Sequence, residues 1–269
     1  MAHVVFDCFP GGKRKALTMS YDDGTVYDRR LVETFNRHAI RATFHLNSGR
    51  FDSEGYLKGS EVAALFAGHE VAVHGLSHPC LPHLPKEGVI REIMEDRRTL
   101  ERLVGYVVRG MSYPGCDFND ALVQMLPSLG IEYARVCYTK SDFAIPDDLY
   151  RWPPSCHHQK GIEKAQAFLR LPPQWGLQLL CVWGHSAEFE LSGNWGLIEQ
   201  FCSITANNEA IWYATAIEVV DYMRAVRSVR CSVDGNTLYN PSSIPVWFSL
   251  WEYMPIEVRA VQPGQTLSL

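Results

Sequence analysis

The sequence predicts an α/β fold: a distorted seven-stranded (β/α) barrel followed by a small C-terminal β appendage. Three observations predict it. About seven beta-prone segments alternate with helical segments, which implies parallel strands joined by crossover helices. The chain has 269 residues, a length that alpha/beta barrels reach as one domain. Polar motifs recur after the apolar strand segments, at the end of the strands where such barrels place active sites.

The elements follow in order. KALTMSY (Lys15 to Tyr21) reads as a strand, and DRRLVETFNRH as an amphipathic helix with Leu31, Val32 and Phe35 on one face. RATFHLN is the next strand. SEVAALFA is a short helix opened by Ser60 as N-cap and ended before Gly68. HEVAVHG is a third strand. KEGVIREIMEDRRTLERLVG is the longest helix, with Val89, Ile93, Leu100 and Leu103 on its buried face. VVRGMSYP is the fourth strand, and NDALVQMLPSLG is a helix that its proline kinks or shortens. IEYARVC is a strand and GIEKAQAFLRL a helix; LQLLCVWG is a strand and WGLIEQFCSITAN a helix. AIWYA is the seventh strand. TAIEVVDYMRAV is a helix with a capping box of Thr215 and Glu218. The turns DGN, NPSS and QPGQ then separate short beta-prone runs. We therefore expect a barrel over residues 1–229 and a β extension over 230–269 packed on it.

Composition narrows the function. The chain is 46% hydrophobic and 20% charged, with a formal net charge of -5, so it carries no basic footprint for nucleic acid. No apolar run approaches the ~20 residues that span a bilayer, so no membrane partner is expected. The N-terminus does not read as a signal peptide, and a cytoplasmic location is expected unless the sequence has been trimmed. The eight cysteines form no CxxC pair and are expected to be free thiols. No feature bears on the oligomeric state.

The polar motifs carry the chemistry. Asp22 and Asp23 follow the first strand, His74 and His78 (in HGLSH) the third, and His185 and Glu188 (in WGHSAEFE) the sixth. Two imidazoles spaced four apart, with a carboxylate, suit zinc or a similar divalent ion and leave positions open for water. Such an ion also accounts for the adjacent acids: one binds it, and its field keeps the other ionised. His185 at a strand end facing that site suits a general acid. Cys156-His157-His158 is a second cluster, open to three readings: a solvated loop, a substrate contact or another metal site.

With these residues in view, the chain resembles the polysaccharide deacetylase family, carbohydrate esterase family four. YDDG resembles its first motif, HGLSH the second, SYPGC the third, Trp152 in YRWPP the fourth and WGHSAEF the fifth, all in order. The resemblance implies a distorted barrel that removes N-acetyl groups from amino sugars with the help of a divalent metal, Zn²⁺ or alternatively Co²⁺. It implies Asp22 as general base, with Asp23, His74 and His78 as metal ligands. It implies His185 as general acid, the Gly115 N–H as an oxyanion donor, and Tyr113 and Trp152 as groove-lining residues. Two positions depart from the family. Ser112 stands where an arginine usually supports the base, with Arg109 or Arg151 as possible replacements. Arg151 stands where an acid usually tunes the histidine, with Glu188 as a replacement. Carbohydrate or a small amide is the expected substrate. O-acetyl ester cleavage, cyclic amide or imide hydrolysis, and carbohydrate binding without catalysis remain as alternatives.

Overall fold

The computed structural model describes residues 3–140, 142–172 and 176–269. A sheet of parallel strands forms its centre. Strand β1 (His3–Val5) lies apart from it; β2 (Lys15–Asp23), β3 (Ala42–Leu46), β4 (Glu70–Val73), β5 (Gly110–Ser112) and β6 (Tyr133–Arg135) join it, followed by β7 (Cys156–His157), β8 (Gln178–His185) and β9 (Ile211–Tyr213). The order across the sheet is β6-β5-β4-β3-β2-β8-β7, with β9 also paired to the start of β2. Trp152 bridges in parallel to Arg135, and the same segment runs on into β7, beside β8. It thereby links the two edges of the sheet into a distorted barrel.

The helices between the strands are α1 (Asp28–Arg37), α2 (Val62–Leu65), α3 (Lys86–Val104), α4 (Asp120–Met125), α5 (Gly161–Arg170), α6 (Ser186–Leu191), α7 (Gly196–Thr205) and α8 (Ala216–Ser228). Their apolar faces close over strands that read as near-continuous apolar runs, as parallel strands covered on both sides do. Leu17, Met19, Tyr21, Phe44, Leu46, Val71, Val73, Leu180 and Val182 are all within 1% exposure. The Thr215–Glu218 capping box forms as expected. The helix at residues 119–130 is shortened by its proline: α4 stops at Met125 and a 3₁₀ turn, Leu126–Leu129, replaces the rest.

Three features differ from the sequence reading. Ser60 does not cap α2, because a 3₁₀ turn (Gly59–Glu61) precedes it and the Glu61 carboxylate accepts the Lys58 N–H at 2.7 Å. The short strand β7 and the helix α6 were not anticipated; two residues of strand and six of helix are too short to show a period. Cys116 and Cys137 are bonded rather than free, because the turn after β5 and the end of β6 bring their Cα atoms to 5.6 Å.

The C-terminal strands are β10 (Arg230–Cys231), β11 (Thr237–Tyr239), β12 (Val246–Trp251), β13 (Pro255–Val261) and β14 (Thr266–Ser268). They build two antiparallel three-stranded sheets, β10-β11-β14 and β1-β12-β13. The N-terminal strand β1 thus pairs with the extension. Buried Asp7 secures this junction, accepting from Arg14, Ser249 and the Trp251 indole. No helix among the described residues is long and apolar enough to cross a membrane.

Candidate active site

Register places the site. β2 runs parallel to β8 with Asp22 level with His185, and parallel to β3 with Asp22 level with His45. Asp22 and Asp23 are the last two residues of β2, and His185 is the last of β8. The chain bends sharply here: Asp23 has φ +85° and His78 φ +61°, a left-handed conformation that costs non-glycine residues of order 1–3 kcal/mol and concentrates at functional sites.

Asp23, His74 and His78 each bring one ligand atom within 4.8 Å of the others. Asp23 Oδ1 lies 3.6 Å from His74 Nε2 and 3.7 Å from His78 Nε2. Burial and the neighbouring Asp22 charge raise the Asp23 carboxyl, an unfavourable state that a cation would relieve. Helix α3 braces the HGLSH loop. Asp96 accepts the His74 N–H at 3.1 Å, and Glu92 accepts the Ser77 N–H at 2.8 Å and its hydroxyl at 3.0 Å. Asn47 donates to the carbonyls of His74 and Gly75 at 2.6 and 2.7 Å.

The His74 tautomer follows from its partners. Its Nδ1 is 3.1 Å from the Ser112 carbonyl, which can only accept, and 2.7 Å from Ser112 Oγ. The Ser112 hydroxyl gives its own proton to Asp22 Oδ1 at 3.1 Å. Nδ1 therefore carries the hydrogen and Nε2, facing Asp23, is bare. Burial pushes this imidazole down to about 3, so it is neutral, as a ligand must be.

Asp22 is 3% exposed and fully engaged. Besides Ser112, its Oδ1 meets His45 Nδ1 at 3.3 Å, and its Oδ2 accepts from Arg135. Burial alone would raise its carboxyl; the Arg135 guanidinium, followed by His74 and His45, outweighs that and holds it well below the usual range. Arg135 is the residue that sequence reasoning missed. The suggested replacements sit elsewhere: Arg109 is held by Asp221 at 2.7 and 2.8 Å, and Arg151 by Asp148 and Asp120 at 2.6 Å each. The signal was an arginine inside the apolar run IEYARVC, where a buried charge needs a buried partner.

On the other side, His185 Nδ1 lies 2.6 Å from Glu188 Oε1, one turn along α6. Burial pulls this imidazole down, but the Glu188 hydrogen bond and the charges of Asp22 and Asp23 carry it above its ordinary value. Glu188 also meets His157 Nε2 at 3.2 Å and His158 Nε2 at 3.3 Å.

Gly115 lies in the 3₁₀ turn after β5 with φ +61°, which favours glycine, and is exposed. Tyr113 and Trp152, expected to line a groove, are instead packed inside, each 2% exposed. The Tyr113 ring stacks on Phe118 and its hydroxyl donates to the Tyr150 carbonyl at 2.8 Å. Trp152 is pinned by its bridge to Arg135 and its ring meets Tyr133 edge-on. Closing the barrel takes Trp152 into the core.

Comparison with known proteins bears on the family and the fold. Residues 10–134 match the model of the family described as polysaccharide deacetylase. A curated relative, chitin deacetylase 1 of Cryptococcus neoformans, is 22% identical over 163 residues. That match takes in 60% of this chain and 34% of the relative, so the chain spans about a third of its length. Among solved structures, a candidate polysaccharide deacetylase from Mycobacterium smegmatis has a TM-score of 0.61 at 16% identity, over 83% of this chain and 94% of that one. The Xyl-CE4 domain of a multidomain xylanase from the hindgut metagenome of Trinervitermes trinervoides scores 0.55 at 15% identity, over 79% and 92%.

Proposed function

We propose, from the premise that residues 10–134 carry a polysaccharide deacetylase domain, that this chain hydrolyses N-acetyl groups on amino sugars with a divalent cation held by Asp23, His74 and His78. The observation that carries the reading is the β2–β8 register, which sets a carboxylate (Asp22) level with an imidazole (His185) beside that cluster. Base, acid and ligand set thus share one barrel face.

The residues fit a cation such as Zn²⁺ or Co²⁺: two imidazole nitrogens and one carboxylate, with the bare His74 Nε2 turned toward Asp23. The chemistry such a cation supplies is Lewis-acid activation of a water and of an acyl carbonyl. Asp22 takes the water proton. Arg135 and Ser112 keep its carboxylate ionised and fixed in place. A carboxylate held this far below its ordinary range is a weak base and serves only an acidified water. The Gly115 N–H is the proposed oxyanion donor. His185, protonated and paired with Glu188, gives its Nε2 proton to the departing amine, which leaves poorly as an anion. The products are acetate and the free amine. The Glu188-supported acid favours amide over ester cleavage, because an ester leaving group needs less help. The Cys116–Cys137 pair suits an oxidising compartment rather than the reducing cytosol expected from sequence, and polymer substrates lie there.

The test is acetate release from N-acetylated and O-acetylated oligosaccharides, with chelator and with Zn²⁺ or Co²⁺ restored. We expect amide turnover that chelation abolishes and metal restores. His185→Ala should slow the amide by ~10²–10⁴ and an activated ester far less. Chelator-insensitive turnover, or equal losses on both substrates, refutes the reading.

A further inference from the structure

We propose that His157 and His158 are positioning residues: together they clamp the Glu188 carboxylate against His185 Nδ1, so that His185 presents a single nitrogen, Nε2, to the leaving group. The inference rests on the acid role given to His185 and adds how that acid is aimed.

Tautomers carry the argument. Glu188 meets His157 Nε2 at 3.2 Å, His158 Nε2 at 3.3 Å and His185 Nδ1 at 2.6 Å. An ionised carboxylate only accepts, with about four lone-pair sites, so three N–H groups can converge on it. His157 Nδ1 accepts the Gln159 N–H at 3.5 Å, which leaves the ring proton on Nε2. Among the described residues His158 Nδ1 is buried with no partner, so the place where its proton is satisfied is again Nε2. That ring is fixed between Phe189, stacked at 4.2 Å, and Tyr21, stacked at 5.9 Å. It also lies against the backbone of Gly184, where a Cβ would stand 2.0 Å from His158 Nδ1. The residue before His185 is thus a glycine because the clamp occupies the side-chain space.

The same cluster has the spacing of a metal site, since His157, His185 and Glu188 bring ligand atoms within 4.8 Å of one another. A ligating imidazole offers a bare nitrogen and donates its other N–H to an acceptor. His157 and His158 do the reverse: each points its N–H at Glu188, and among the described residues neither Nδ1 has an acceptor to donate to. Two imidazole N–H groups donating to Glu188 stabilise its charge. His158 Nε2 sits on Oε2, His185 Nδ1 on Oε1, and His157 Nε2 lies between the two oxygens, 3.2 Å from Oε2 and 3.3 Å from Oε1.

The closing experiment has two arms on the full-length chain. Long-range ¹H–¹⁵N imidazole spectra should show His157 and His158 as Nε2–H tautomers; an Nδ1–H form of either overturns the clamp. This arm needs no turnover, so it decides the clamp even if the deacetylase reading fails. In the second arm, His157→Ala should lower kcat on an N-acetyl amide about tenfold, the lower end for loss of an outer hydrogen-bonding partner. KM and activated-ester turnover should hold. His157→Gln, whose side-chain N–H can reach the same carboxylate, should restore most of the loss. In a His185→Ala background, His157→Ala should cost nothing more. Equal losses on amide and ester, no rescue by Gln, or a full additional loss without His185 would each overturn the proposal.

Discussion

Two histidine clusters share one end of the barrel, and composition alone does not tell them apart. Asp23, His74 and His78 form one; His157, His185 and Glu188, with His158 beside them, form the other. Each holds imidazoles and a carboxylate at ligand-like distances. They differ in where the protons sit. His74 gives its Nδ1 hydrogen to Ser112 and turns a bare Nε2 toward Asp23. His157 and His158 turn hydrogen-bearing Nε2 atoms toward Glu188. The first arrangement would suit a cation, as proposed; the second is already satisfied by its own donors. A cluster of histidines is therefore read from the partner of each far nitrogen, not from the count of near ones. Trp183 is the seam between the halves: the Arg135 guanidinium lies 4.7 Å from its ring centre, and its edge meets His157 at 5.0 Å and His185 at 5.6 Å.

Metal content breaks this comparison most directly. His74→Ala should abolish stoichiometric binding of Zn²⁺ or Co²⁺, and turnover with it. His157→Ala should leave the stoichiometry at one per chain. Elemental analysis after dialysis decides it, and two ions per wild-type chain would falsify the distinction.

The two halves also differ in how they hold their carboxylates. Asp22 is deeply buried and faces a full positive charge, Arg135; Glu188 is 29% exposed at its side chain and is held by imidazoles. Arg135→Leu leaves the buried Asp22 charge without its main partner, which typically costs about 3–5 kcal/mol of stability. The sign on pH follows. Asp22's folded carboxyl sits below its unfolded value of about 3.9, so its contribution is present above that pH and is lost as pH falls through the folded value. Removing Arg135 raises the folded value. The acid limb of the pH–rate profile should then move to higher pH, and the denaturation midpoint should fall. An unchanged acid limb would show that Arg135 does not govern Asp22.

Much of the site was legible because its residues follow apolar runs. DDG, HGLSH and GHS each sit at a strand end, and parallel strands deliver all such ends to one face. Arg135 was not legible by that rule. Its role depends on β6 lying four strands from β2 and on the barrel closing, neither of which local pattern reports. Trp152 was misread for the same reason: a loop tryptophan becomes core once its segment bridges β6 and leads to β8. Cys116 and Cys137 lie just after adjacent parallel strands, so their pairing follows from the order β5-β6 but not from their spacing. The resemblance singles out Glu188 as a replacement acid, but the sequence does not bring His157 and His158 to it, because β7 is only two residues long.

The smallest expected effect is the sharpest probe of the second half. Gly184 lies beside the His158 ring, and an added methyl would meet His158 Nδ1 at 2.0 Å. Gly184 is not among the glycines of positive φ, so backbone freedom is not what requires it there. The requirement is space. Gly184→Ala should push His158 out from between Tyr21 and Phe189, at a cost of about 1–3 kcal/mol typical of overpacking. The Asp23, His74 and His78 cluster lies at the end of β2 and in the loop after β4 and should keep its metal affinity. Amide turnover should fall while activated-ester turnover persists, because the displaced ring no longer holds Glu188. Pairing the change with His158→Ala makes space for the methyl and should recover the lost stability without recovering the amide rate. Recovery of both would mean that His158 only fills volume, and the acid half would then rest on Glu188 and His157 alone.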